Sequence, residues 1–157
     1  MKIRIHSVAG KSPAWIDTGV QDFNRRLPSE LQPVWHTEAL DKRRRSANAV
    51  DSRAEESDRL WRSVPEHAHT VLLDVQGEPW DTPQLAQHLL QWQMGRQDVV
   101  ILIGGPDGVT PQLRQRAQQC WSMSALTLPH MLVRIVLIEQ LYRAWTLTQG
   151  HPYHKSS

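Results

Sequence analysis

The hydrophobic positions of this chain switch repeatedly between a period of two and a period near 3.6. That switching predicts alternating strands and helices. Residues 3–8 alternate apolar and polar side chains, as a strand does. Residues 14–27 carry Ile16, Val20, Phe23 and Leu27 at helical spacing, with Pro28 as the stop. Residues 34–40 read as a second strand, and a charged helical stretch reaches to about Val64. Residues 70–75 form a short buried strand, and Gln76-Gly77-Glu78-Pro79 reads as a turn. Thr82-Pro83 is a helix start, because threonine caps free N–H groups and proline at the first helical position loses no bond. Leu85, Leu89 and Trp92 line one face of that helix. The run 99–103 is a strand, and Thr110-Pro111 repeats the capping device before a helix through about Gln119. An apolar and small-residue run, 121–128, ends at Pro129-His130, and a last helix covers about 129–149. The order βαβαβαβαβα argues for an α/β fold on a largely parallel sheet.

The last helix is apolar around most of its circumference. Glu139, Arg143 and Thr146 share a narrow face, and Arg134 falls opposite, among apolar residues. A helix of this kind is buried broadly. In a small domain that means burial on both the sheet and a second subunit, so a homodimer through this helix is expected.

Composition narrows the class. The 157 residues suffice for one domain with a proper core, and 39% hydrophobic with 22% charged residues suits a soluble globular protein. The net charge of +2 permits nucleic-acid binding without demanding it, because clustering matters more than the sum. Cys120 is the only cysteine, so no internal disulfide forms, which suits a reducing cytosol, and a cytoplasmic location is expected. No signal-peptide pattern opens the chain, no apolar run is long enough to span a bilayer, and no membrane partner is expected. The eight histidines show no HExxH or similar spacing, and no metal is expected. The seven tryptophans are expected mainly in the core or at an interface.

Four segments carry candidate chemistry. Gly104-Gly105-Pro106-Asp107-Gly108 follows a strand, the position where ligands approach an α/β sheet. It lacks both the G-x-G-x-x-G and the P-loop pattern. On its own it is equally a tight strand-to-helix turn. The run 123–128 is, on its own, core packing with two hydroxyls. His151-Pro152-Tyr153-His154 is, on composition, a disordered tail. Lys42-Arg43-Arg44-Arg45 is a solvated loop or a phosphate contact, and each phosphate neutralised would add to the salt dependence of RNA binding.

Together, these segments resemble the knotted methyltransferases of the SPOUT superfamily, and within it the RlmH family of large-subunit rRNA pseudouridine methyltransferases. The resemblance runs over essentially the whole chain. It is densest in Leu73-Asp74, residues 79–83, Ile103-Gly104-Gly105-Pro106, residues 124–130, Leu141-Tyr142-Arg143-Ala144-Trp145 and residues 151–154. Met131 stands where many relatives have proline. The resemblance implies a single SPOUT-type domain over 1–157, with a trefoil knot and cofactor site within about 70–157. It implies transfer of a methyl group from S-adenosyl-L-methionine to N3 of a pseudouridine in 23S rRNA, with the assembled 70S ribosome as substrate and a homodimer as the working form. Leu73, Gly104, Gly105, Met123, Ser124, Ala125, Leu126, Thr127 and Leu128 would hold the cofactor. Arg143, Tyr153 and His154 would serve the target base, with the tail often reaching the partner's site. Lys42, Arg43, Arg44 and Arg45 would meet RNA. His154 is the candidate proton acceptor, because an imidazole titrates near neutrality. A tRNA-modifying enzyme of the same fold, a non-catalytic ribosome-binding module and a doubly wound nucleotide-dependent enzyme are the competing expectations.

Overall fold

A computed structural model describes residues 1–41 and 49–155, apart from the side chains of 49–51. Five strands form one parallel sheet: β1 (Ile3–Val8), β2 (Val34–Glu38), β3 (His69–Pro79), β4 (Val99–Ile103) and β5 (Gln119–Ser122), in the order β2-β1-β4-β3-β5. Among the described residues five α-helices accompany it: α1 (Ala14–Asn24), α2 (Ala49–Arg62), α3 (Thr82–Gly95), α4 (Pro111–Arg116) and α5 (His130–Thr148). A strand buried on both faces needs an unbroken apolar run. β4 meets that demand at the sheet's centre, with all five residues buried. Val99, Ile101 and Ile103 point into one core with Ile3, Ile5, Leu85, Leu89, Leu137, Ile138 and Leu141. Val100 and Leu102 point into the other, with Leu60, Leu72 and Leu113. The first core therefore lies under α1, α3 and α5, and the second under α2 and α4.

Several elements end elsewhere than the pattern predicts. α1 stops at Asn24, but Leu27 stays buried in the turn that follows. α4 ends at Arg116, because Gln119 is taken by β5. The cap of α3 is Asp81 rather than Thr82. Its carboxylate accepts the Gln84 N–H at 2.8 Å, and Gln84 accepts the Asp81 N–H at 2.8 Å, a reciprocal capping box. The predicted turn at 76–79 belongs to β3. Leu73 and Glu78 both pair with Trp121, so the residues between them bulge out and the strand then resumes along β5. Gly77 permits this crossing, because a Cβ there would lie 2.6 Å from the backbone carbon of Trp121.

Every residue of α5 is buried or partly buried in the single chain. Arg134 is 7% exposed and donates to Ser7 Oγ at 2.6 Å and to Thr37 Oγ1 at 2.9 Å. Both bonds come from Nη2 of a guanidinium that the helical pattern had set among apolar side chains, and its Nε has no hydrogen-bond partner among the described residues. Among the described residues no helix is long and apolar enough to cross a membrane, and no cluster of His, Cys, Asp and Glu could hold a metal ion.

Candidate active site

β3, β4 and β5 are neighbours, and β4 and β5 end at the edge of the sheet where β3 leaves β4 at Leu73 and bulges. At this edge opens a cleft of about 560 Å³, within the usual range for a small-molecule site. Leu73 reaches it from β3, Gly104 and Gly105 from the turn after β4, and Met123, Ser124, Leu126, Thr127 and Leu128 from the loop after β5. Eight of the nine residues assigned to the cofactor thus share one cavity wall. Ala125 is exposed and does not line it. Leu126 stands 72% exposed at the rim.

The local sequence explains the shape of this wall. The Gly105 carbonyl accepts the Gly108 N–H at 2.9 Å, and Gly108 takes φ +80°, which suits glycine. A side chain at Gly104 would strike Val109, and a Cβ at Gly105 would lie 2.5 Å from Glu56 on α2. These two glycines therefore let the turn pack against its own chain, a role the strand-end pattern did not reveal. The loop after β5 is braced internally: Ser122 Oγ donates to the Ser124 carbonyl at 3.2 Å, and Ser124 Oγ accepts the Leu126 N–H at 2.9 Å. His130 is more than the first residue of α5. Its Nε2–H donates to the Gly104 carbonyl at 2.6 Å and ties the two cleft-forming turns together. Asp74 and Arg114 also line the cleft, joined through Asp74 Oδ2 to Arg114 Nε at 2.8 Å and Nη2 at 2.7 Å. Trp121 and Arg53 also line the cleft, and pattern reasoning missed them.

The second cluster lies at the far end of α5. Gly150, at φ +64°, turns the chain, and the His151 N–H returns to the Thr146 carbonyl at 2.9 Å. The tail then forms a 3₁₀ turn over Pro152–Lys155. Tyr153 packs on Tyr142 with ring centroids 4.6 Å apart, under the Arg143 guanidinium at 4.9 Å. Glu139 binds both groups through one oxygen: Arg143 donates from Nε at 2.9 Å and Nη2 at 2.6 Å, and the Tyr153 hydroxyl donates at 3.1 Å. The hydrogen bond to Glu139 holds Arg143 more firmly protonated than usual. Burial, then the Glu139 charge, raises the Tyr153 pKa, so its phenol keeps its proton at neutral pH. His154 is partly buried beside it, and its Nδ1 is shielded from solvent with no hydrogen-bond partner among the described residues. Arg143 and Tyr153 thus lie together on Glu139, whose link to Tyr153 had no signal in the local pattern.

The two clusters do not meet within one chain. Arg143 stands 13 residues after His130 on α5, about 20 Å along the helix axis at 1.5 Å per residue. The basic run Lys42, Arg43, Arg44 and Arg45 lies outside the described residues.

Comparison with known proteins gives consistent matches. A family profile described as predicted SPOUT methyltransferase matches residues 1–154. A protein of Hahella chejuensis named ribosomal RNA large subunit methyltransferase H is 43% identical over 155 residues, covering 99% of each chain. Proteins of the same name from Saccharophagus degradans and Stutzerimonas stutzeri are 46% and 43% identical over 99% of this chain and 100% of their own.

Proposed function

The chain belongs to the SPOUT methyltransferase family, and from that premise we propose that it methylates N3 of a pseudouridine in 23S rRNA, using S-adenosyl-L-methionine and acting on the assembled 70S ribosome. The observation that carries this reading is the cleft. Three segments distant in sequence converge on it at the sheet's carboxyl edge, in a chain 43–46% identical over its whole length to large-subunit rRNA methyltransferases. On the same premise residues 1–157 act as one domain in the cytoplasm, with the family's trefoil knot within about 70–157.

The residues present fit the donor. A cleft of about 560 Å³ suits an adenosyl amino acid in size. Leu73, Met123 and Leu128 supply apolar wall, and the turns at 104–105 and 123–128 supply backbone polar groups. When bound, the donor supplies a methyl group on a sulfonium. What the chain must then provide is alignment of N3 with that carbon, so positioning supplies much of the rate.

The tail cluster is assigned to the base. Arg143 steadies a carbonyl oxygen that gains negative charge as N3 loses its proton. Tyr153, a neutral phenol, stacks on or hydrogen-bonds the base. His154 accepts the N3 proton. The separation of about 20 Å along α5 supports a site made from the cleft of one copy and the tail of another. Leu132 and Val136, partly exposed on α5, offer an apolar contact for the second copy. Lys42 to Arg45 would meet rRNA phosphates.

The test is transfer of labelled methyl to 70S particles and to naked 23S rRNA. The reading expects retained label on the 70S particle and little on naked RNA. Label on tRNA alone, or none on any RNA, would refute it.

A further inference from the structure

We propose that Arg53 is a ligand-binding residue of the cleft and takes the α-carboxylate of the methyl donor. The inference rests on the functional reading above and adds to it the end of the cleft where the donor's amino-acid part sits.

Arg53 comes from α2, an element that contributes no other residue to the lining of the cleft. Its Nε is shut off from solvent and has no hydrogen-bond partner, and no ion pair engages it among the described residues. A shielded guanidinium N–H without an acceptor costs folding free energy; Arg4, Arg59 and Arg134 also leave Nε unpaired, but each holds another partner, Asp98, the Ala39 carbonyl and Ser7, whereas Arg53 holds none among the described residues. The other cation of the wall is committed, because Arg114 is held by Asp74. Among the described residues, Arg53 is therefore the guanidinium in the cleft wall that remains available to an anion.

Its position is fixed independently. Glu56 follows three residues later on α2, so the two share a helical face. Glu56 lies directly beneath Gly105, as the 2.5 Å approach of a hypothetical Cβ shows. That face of α2 is thus turned to the 104–108 turn, and Arg53 overlooks the cleft beside it.

The chemistry selects the ligand group. A guanidinium fork matches a carboxylate through two parallel N–H donors. An adenosyl amino acid carries one carboxylate. A phosphate of the RNA backbone would call for an exposed cation at the rim, whereas Arg53 is only partly exposed in the wall. The amino-acid end of the donor then lies beside α2 and the glycine turn, and its adenosyl end lies toward residues 123–128.

Isothermal titration tests this with three ligands: S-adenosylmethionine, its decarboxylated form and 5′-methylthioadenosine. Wild-type protein should prefer S-adenosylmethionine over the decarboxylated form by about tenfold or more. Arg53→Ala should abolish that preference and leave methylthioadenosine affinity within about twofold. Arg53→Lys, which keeps the charge and loses the fork, should fall between. Thermal melting of each variant confirms folding, and Arg53→Gln replaces any variant that melts early. An Arg53→Ala protein that keeps the preference, or weakens all three ligands alike, overturns the proposal. So does one that keeps it but shows a raised KM for ribosomes with a shallower salt dependence, the mark of a phosphate contact. Wild-type protein that binds the donor without a carboxylate preference overturns the Arg53 assignment alone. Wild-type protein that binds none of the three overturns the functional reading with it.

Discussion

Glu139 should control the chemical step without touching the donor. One of its oxygens takes the Nε and Nη2 of Arg143 at 2.9 and 2.6 Å and the Tyr153 hydroxyl at 3.1 Å. Glu139→Ala removes all three contacts together. A charge-assisted hydrogen bond contributes about 1.5–3 kcal/mol when buried. The side chains of Glu139 and Arg143 are 18% and 23% exposed, which screens the pair and moves the value toward the lower end. Looser placement of Arg143 and Tyr153 should then cost about 1.5–2.5 kcal/mol in the transition state, a loss of about 10- to 70-fold in rate. Glu139→Gln keeps an acceptor of the same shape and loses the charge, so it should cost about three- to tenfold. The assay is single-turnover methyl transfer to 70S ribosomes at saturating donor, with donor affinity measured separately by calorimetry. The rate should fall while the donor Kd stays unchanged. An alanine variant with wild-type turnover would refute it, as would one that lost donor binding.

Two further perturbations test the scaffold. Gly77→Ala should destabilise the fold by about 3 kcal/mol, because its Cβ meets the Trp121 backbone, which cannot yield without parting β3 from β5; Gly95→Ala, with open space around it, should be neutral or stabilising in the same urea titration. His6 is 6% exposed, donates from Nδ1 to Ser63 Oγ at 2.8 Å, and has its pKa lowered to about 4 by burial, then by His36 and Arg4, against a raising effect from Glu38. The unfolded chain therefore binds the extra proton first as pH falls, and stability present at pH 7 is lost between about 6.5 and 4. The loss from pH 7 to 5 is about 2 kcal/mol. His6→Gln, which cannot titrate, should flatten that slope by this amount, and an unchanged slope would contradict the assignment.

The strands were legible where burial left an unbroken signature. Val99–Ile103 is apolar at every position because helices cover both faces, and the prediction matches its bounds. The Gly77-Glu78-Pro79 segment misled because glycine and proline mark turns locally, whereas here the chain resumes pairing with β5, far off in sequence. In the site, the turn after β4 and the 123–128 run were legible as segments. Their meeting in one cleft depends on strand order, which periodicity does not encode. Glu139 and Arg143 were readable as an i,i+4 pair. The Tyr153 hydroxyl joins them only because Gly150 folds the tail back. Arg53 is one charge among many on a charged helix, and its lack of a partner among the described residues, together with its place in the cleft wall, distinguishes it.

The most direct test of a site shared between two copies is complementation by mixed dimers. One variant, Thr127→Trp, would fill the cleft from an exposed lining position. The other, Arg143→Ala with His154→Ala, would disable the tail. Each alone should be inactive on 70S ribosomes. After unfolding together and refolding at equal amounts, half of the dimers pair one of each and carry one intact site out of two, so activity should recover to about a quarter of wild type. A mixture that stays as inactive as its parents would contradict the shared site.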